Sequence, residues 1–180
     1  MQRKIVAIII GALIGFIILN YKFIVKDNKP FWTFEKTTNL SIKDIEAILF
    51  KIGVGQYKSD SLPFILASKS SCIISIDGNS IDGNKFIISF EDGHKEYIII
   101  DYANHTLTTQ GEWWYRGIYS LHLKGEKTLI KLNIFNVAKK HRWAASLMIC
   151  PQKNKHKENF EKFVANLESE FARREKKSSR

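Results

Sequence analysis

The sequence predicts an α+β protein in which an antiparallel sheet packs against one long C-terminal helix, preceded by one transmembrane helix. Three observations lead to this prediction. Residues 5–19 carry only apolar side chains or glycine. Between residues 64 and 150, apolar and β-branched runs alternate with short turn sequences, too closely for crossover helices between the strands. From residue 160 to residue 171, apolar residues recur at helical spacing.

The apolar N-terminal segment is predicted to be an uncleaved, single-pass anchor in the cell membrane over residues 1–26. A helix that continues through residue 25 matches the ~30 Å hydrocarbon core of a bilayer. Cleavage by signal peptidase requires small residues shortly after the apolar run, and this sequence has none there. A cleaved signal peptide is the alternative to an anchor. Basic residues flank both ends of the apolar run, so the charge pattern leaves open on which side of the membrane the domain lies. The short basic N-terminus favours an extracytoplasmic domain. Residues 27–32 form a linker.

The domain is predicted over residues 33–174, and it begins with one strand and one helix. Residues 31–40 are rich in β-branched and aromatic residues, which is typical of a strand. Ser41 and Asp44 have the spacing of a capping box at a helix start. Apolar residues follow at helical spacing through Ile52, which predicts one buried helix face.

A run of further strands is predicted, separated mostly by Asp-Gly and Lys-Gly turns. The predicted strands cover residues 65–70, 72–76, 85–91, 96–102, 106–110, 113–123, 129–137 and 143–150. Strands that follow one another this closely form antiparallel hairpins.

The C-terminal helix is predicted from about residue 155 to residue 174, followed by a basic tail over residues 175–180. Phe160, Phe163, Val164, Leu167 and Phe171 occupy positions i, i+3, i+4, i+7 and i+11, which places them on one face of the helix. Such an apolar face has to be buried, and the sheet is the large surface available to it.

The chain carries a formal net charge of +10. A basic domain held near a bilayer is attracted to anionic headgroups, so membrane lipids are expected partners. Nucleic acid is not an expected partner, because no nucleic-acid-binding motif accompanies the charge. Cys72 and Cys150 lie far apart without a CxxC motif or a histidine cluster. They give no metal or redox signature, and a disulfide between them stays open, as does the oligomeric state.

No catalytic motif is found in the sequence. The histidines are scattered, and no serine lies in a G-x-S-x-G sequence, so neither a catalytic residue nor a metal or cofactor is predicted. Asp101 and Glu112 would form an acid/base pair only if both faced one cavity. Carboxylates at strand ends more often face solvent.

The tract Trp113-Trp114-Tyr115-Arg116 is the most distinctive in the sequence. Strand alternation places Trp113, Tyr115 and Tyr119 on the face toward the C-terminal helix. These residues are either plain core or the wall of a pocket whose phenol groups orient the polar end of an apolar ligand. The predicted ligand-binding residues are Trp113, Tyr115, Tyr119, Phe160, Phe163 and Leu167.

The order of elements resembles the helix-grip architecture of the START-like (polyketide cyclase, SRPBCC) superfamily over residues 33–172. The stretches Trp113-Trp-Tyr-Arg-Gly-Ile-Tyr119, Leu129-Ile-Lys-Leu-Asn-Ile-Phe-Asn-Val137 and Arg142-Trp143 are similar to strands of membrane-associated, polyketide-cyclase-like bacterial proteins. The resemblance implies a curved sheet that wraps the terminal helix and encloses an apolar cavity. It transfers no catalytic residue, because the superfamily has no invariant catalytic motif.

Three functions follow as hypotheses. The first is a membrane-tethered domain that binds a lipid or another hydrophobic small molecule. The second is an enzyme of the polyketide cyclase or hydrolase type, which would need polar acid/base groups inside the cavity. The third is a membrane-anchored interaction or regulatory protein without a ligand, whose cavity is filled by its own side chains.

Overall fold

The structure is a computed structural model that describes residues 2–19, 29–56, 62–67, 73–78, 83–138 and 142–179. The helices in these ranges are α1 (Gln2–Leu19), α2 (Ile42–Leu49), α3 (Arg142–Ile149) and α4 (Lys153–Ser178). The strands are β1 (Trp32–Thr38), β2 (Gly55–Gln56), β3 (Ile73–Gly78), β4 (Lys85–Phe90), β5 (Lys95–Asp101), β6 (Thr106–Gly111), β7 (Tyr115–Lys124) and β8 (Lys127–Asn136).

The described strands form one curved antiparallel sheet in the order β1-β8-β7-β6-β5-β4-β3-β2. Every neighbouring pair except β1–β8 is consecutive in sequence, which is the pattern that successive hairpins produce. The pairing of β1 with β8 brings the start of the domain next to its last strand. The predicted α+β architecture with an antiparallel sheet and a long C-terminal helix is therefore confirmed.

Helix α2 begins as the sequence predicts. The Asp44 amide donates to Ser41 Oγ at 3.2 Å, and the Ser41 amide donates to the Asp44 carboxylate at 3.3 Å. This reciprocal capping box satisfies two amides that the first turn of a helix leaves without partners. Ile45, Ile48 and Leu49 are buried, so the predicted apolar face of this helix packs into the core.

Helix α4 packs across the sheet and supplies the other half of the core. Phe160, Val164 and Leu167 are buried along one face, and the Phe160 ring stacks on Phe34 of β1 with 6.2 Å between centroids. The same face carries Phe163 and Phe171, which are only partly buried. The helix runs to Ser178, four residues beyond its predicted end.

Two of the predicted strands are wrong. Residues 143–150 fall largely in helix α3, because this segment lacks polar–apolar alternation and its alanine, leucine and methionine residues favour a helix. Residues 64–67 form a turn of 3₁₀ helix, which follows Pro63 and is closed by a bond from the Leu66 amide to the Pro63 carbonyl. Residues 68–70 of that predicted strand, like Cys72, lie outside the described residues.

The N-terminal helix α1 exposes its apolar side chains, with Ile8 71% and Leu13 61% exposed. Across the described residues, the structure contains no helix of sufficient length and apolarity to cross a membrane. The predicted transmembrane helix is therefore not supported by the part of the chain that is described. Residues 20–28, which include the end of the predicted anchor and part of the predicted linker, lie outside it.

Candidate functional site

A cavity of about 350 Å³ lies between the sheet and helix α4. Strands β5 to β8 form one wall, and α4 with the turn at residues 64–67 forms the other. The volume falls at the lower end of the ~300–1,000 Å³ that ligand pockets occupy. Apart from Gly111, the described lining consists of apolar side chains and an equal number of polar ones. The polar set consists of Glu96, Thr109, Tyr115, Tyr119, His156 and Asn159.

The strand wall follows from the alternation of side chains along each strand. Glu96 shares its face of β5 with Ile98 and Ile100, both of which are buried. On the neighbouring strand, Gly111 is the residue paired with Glu96. A Cβ atom on Gly111 would meet no atom within 4 Å, so glycine at this position leaves open space beside the Glu96 carboxylate.

Tyr115 lies flat along β7 because Gly117 has no side chain. A Cβ atom on Gly117 would stand 2.9 Å from Cζ of Tyr115 and closer still to its hydroxyl oxygen. Thr109, which pairs with Gly117 across the strands, is hydrogen-bonded to that hydroxyl. Burial, together with the nearby Glu96 charge, raises the pKa of Tyr115 despite this hydrogen bond. The phenol is therefore protonated at neutral pH and available for hydrogen bonding.

Tyr119 lies four residues further along β7, on the same strand face. Burial, and to a smaller extent Tyr115, raise the pKa of the Tyr119 phenol well above its usual value. Its ring contacts Phe163 with 5.1 Å between centroids. The two tyrosines thus give the strand wall an apolar surface that carries hydroxyl groups.

The helix wall is a second regular pattern. His156, Asn159, Phe160 and Phe163 occupy positions i, i+3, i+4 and i+7 of α4 and line the same cavity. The imidazole of His156 lies 5.2 Å from the ring centroid of Trp32. Burial, followed by the charge of Lys155, lowers the pKa of His156, so this side chain is neutral at pH 7.

A second cavity of about 330 Å³ adjoins the first. Ile65, Asn159 and Phe163 line both cavities. The Phe163 ring lies between Tyr119, at 5.1 Å, and Phe64 of the 64–67 turn, at 5.6 Å. Phe163 therefore forms part of the partition between the two volumes.

Four of the predicted ligand-binding residues line the cavity, and two do not. Tyr115, Tyr119, Phe160 and Phe163 are brought together as the sequence predicts. Trp113 lies at the surface, 46% exposed, because β7 begins at Tyr115 and the alternation does not extend back to residue 113. Leu167 is fully buried in the core, beyond the end of the cavity. The roles of the four cavity-lining residues in ligand binding remain predictions.

Strand alternation through Trp113 and Tyr115 would place Trp114 on the outer face of the sheet, but the structure places its ring on the inner side. Its ring packs edge-on against Tyr115 at 5.4 Å and against His156 at 6.5 Å. The bend over residues 112–114 turns the side chain inward. Trp114 therefore supports two residues of the cavity lining.

The candidate acid/base pair Asp101 and Glu112 does not line the cavity. Asp101 accepts hydrogen bonds from the Asn104 amide and side chain at 3.0 and 2.7 Å, and Glu112 is exposed. Besides the two tyrosines, the ionisable residues of the described lining are Glu96 and His156, which the sequence analysis did not predict. Within the described ranges, no group of three His, Cys, Asp or Glu residues has an arrangement suited to a metal ion.

Comparison with known proteins shows the fold. No protein-family model matches the chain, and no curated protein matches it. Among solved structures, the chain is similar to a START superfamily protein from Mycobacterium smegmatis, with 14% identity, a TM-score of 0.51, and coverage of 77% of this chain and 97% of that one. A protein from Thermus thermophilus aligns with 12% identity and a TM-score of 0.45, over 78% and 95% of the two chains. Ara h 8.0201 aligns with 16% identity and a TM-score of 0.39, over 77% and 98%. The domain has a START-like, helix-grip fold.

Proposed function

We propose that the domain binds a small hydrophobic molecule with a polar end in the cavity between α4 and the sheet. The observation that carries this proposal is the open volume of about 350 Å³ bordered by Tyr119, Phe160 and Phe163. Unfilled volume in a core costs stability, so an interaction protein without a ligand has no reason to keep it. START-like folds commonly bind hydrophobic ligands, which adds support.

The size of the cavity narrows the class of ligand. A volume at the lower end of the usual range suits a single alkyl chain or a small ring system better than a two-chain phospholipid. The aromatic rings supply the apolar contacts, and the phenols of Tyr115 and Tyr119 supply hydrogen-bonding groups at fixed positions. The ligand is therefore an amphiphile with a compact polar end.

An enzyme of the cyclase or hydrolase type is the second candidate. The observation in its favour is that Glu96 and His156, a carboxylate and a neutral imidazole, line one cavity. These are the residue types of general acid/base catalysis. Binding remains the better-supported function, because aliphatic side chains and phenylalanine rings make up about half of the described lining and supply the contacts that an apolar ligand needs.

Binding is tested by titrating the full-length chain with N-phenyl-1-naphthylamine, a neutral apolar fluorescent probe, alongside native mass spectrometry for a co-purified small molecule. We expect saturable binding at one site. Trp113→Ala is the matched control, because Trp113 is aromatic and lies outside the cavity lining, and it should leave the affinity unchanged. A probe signal that rises linearly without saturation, together with no bound small molecule, would contradict the proposal.

We also propose that the N-terminal segment holds the domain at a membrane, with the domain on the extracytoplasmic side. The support is the exposure of a long apolar surface on α1, since large exposed apolar surfaces mark interaction sites. The full-length chain should float with phosphatidylcholine–phosphatidylglycerol vesicles on a density gradient. Replacing Ile9 and Leu13 together by lysine should release it, because each charge costs about 2.5–3.5 kcal/mol in a bilayer.

The control for this flotation experiment is Ile99→Lys. Ile99 is an apolar side chain of the sheet that is 41% exposed, so the substitution adds the same charge outside α1. Flotation should persist in this variant. Equal flotation of the α1 double variant and the wild type would show that α1 does not attach the domain.

A further inference from the structure

Phe163 lies at the boundary between two cavities of the domain. The first cavity, of about 350 Å³, and the second, of about 330 Å³, both have Phe163 in their lining. Tyr119 lines the first cavity and Phe64 lines the second. The Phe163 ring contacts both, with 5.1 Å between centroids to Tyr119 and 5.6 Å to Phe64. A row of three aromatic rings therefore crosses the boundary, with Phe163 in the middle.

The burial of Phe163 fits this position. Phe160, Val164 and Leu167 are buried on the same face of α4, whereas Phe163 is only partly buried. Because Phe163 has open volume on two sides, truncating it takes away a wall and not a fully packed part of the core. Alanine at this position has the highest helix propensity, so α4 should be retained.

A chain bound in the first cavity is directed toward this boundary. Tyr115 and Tyr119 lie on one face of β7, and Tyr119 contacts the Phe163 ring. An alkyl chain whose polar end is held at the Tyr115 hydroxyl therefore passes Tyr119 and then reaches Phe163. The second cavity lies beyond that ring.

From this arrangement we infer that Phe163 sets the upper chain length of the ligand by closing the first cavity against the second. The inference rests on the proposed binding function, and it names the ligand class as single-chain amphiphiles short enough to end at this ring. Each methylene group transferred from water to an apolar site tightens binding about fourfold. This gain should stop at the length that reaches Phe163, because any further methylene group meets the ring or stays in water.

The inference is tested by competition against N-phenyl-1-naphthylamine on the full-length chain, with the straight-chain alcohols from octan-1-ol to tetradecan-1-ol. These competitors share a compact neutral polar end and differ only in length. For the wild type, we expect the affinity to rise with length and to level off before tetradecan-1-ol. In Phe163→Ala the rise should continue, so that tetradecan-1-ol binds at least about tenfold more tightly than to the wild type, the gain of two methylene groups or more. Octan-1-ol should bind both chains with similar affinity.

Phe171→Ala is the matched control. Phe171 is another partly buried phenylalanine of α4, and it is not among the described residues that line either cavity. This variant removes the same ring without joining the two volumes, so it should keep the wild-type length limit. Phe163→Leu leaves an apolar side chain in the boundary and should raise the limit less than Phe163→Ala does. It decides the test if the alanine variant does not fold.

Two results would overturn the inference while leaving probe binding intact. One is a wild-type affinity that rises without interruption to tetradecan-1-ol, which would mean that Phe163 does not stop the chain. The other is a wild-type length limit in folded Phe163 variants, which would place the limit elsewhere in the cavity. Failure of the proposed function is distinct, since it removes saturable probe binding altogether.

Discussion

Replacing Leu167 by alanine is expected to lower the free energy of unfolding by about 2–5 kcal/mol, the usual cost of truncating a buried leucine. Leu167 is fully buried on the face of α4 that also carries Phe160 and Val164. These side chains join the helix to the sheet, so the cavity left by truncation has packed neighbours on all sides. Urea unfolding followed by far-ultraviolet circular dichroism measures the loss.

Two further variants of α4 provide stability losses with which this result can be compared. Glu161→Ala alters an exposed side chain and should change stability by no more than about 0.5 kcal/mol. Phe163→Ala should cost less than Leu167→Ala, although phenylalanine is larger, because Phe163 already borders two open volumes. Equal losses for Glu161→Ala and Leu167→Ala would show that α4 is not packed on the sheet as described.

The fold could be predicted where local patterns decide it. Asp-Gly turns and polar–apolar alternation located most strands, and the i, i+3, i+4, i+7 pattern located α4, because these signals are contained in neighbouring residues. Helix α3 was missed because residues 143–150 form a short apolar run, in which a buried strand and a buried helix have no distinguishing period. Prediction of the turn at residues 64–67 failed for the same reason.

The candidate site could be predicted only in part, because a cavity depends on distances between elements. Tyr115 and Tyr119 were found through strand alternation, and Phe160 and Phe163 through helical spacing. His156 and Asn159 continue that helical face one turn earlier, so their signal was present in the sequence. The alternation of Glu96 with Ile98 also places Glu96 on the inner face of β5. It was not predicted as a site residue, because a lone carboxylate at a strand end normally faces solvent.

Gly111 was the least predictable residue of the site. A glycine near a strand end usually marks a turn or a bulge, and nothing in the sequence distinguishes those cases from a glycine that keeps a cavity open. The distinction depends on which atoms surround the position that a side chain would occupy. At Gly117 a side chain would collide with Tyr115, whereas at Gly111 the space is empty.

Replacing Gly111 by leucine is therefore expected to abolish binding of N-phenyl-1-naphthylamine, or weaken it at least about tenfold, while the domain stays folded. The new side chain points into open cavity volume and meets no atom at its Cβ. The free energy of unfolding should stay unchanged or rise, because glycine within a strand or helix costs about 0.5–1 kcal/mol relative to alanine. A loss of probe binding without a loss of stability would show that the leucine fills the cavity. A damaged fold would lower both.

A graded series and one control complete this experiment. The affinity should fall from Gly111→Ala through Gly111→Val to Gly111→Leu, following the volume added to the cavity. Thr108→Leu introduces the same leucine on the same strand but on the opposite face of the sheet, so it should leave probe affinity unchanged. Because α1 is identical in all these chains, any partition of probe onto it cancels in the comparison. Wild-type affinity in Gly111→Leu would mean that the probe binds elsewhere, and the cavity between α4 and the sheet would lose its proposed role.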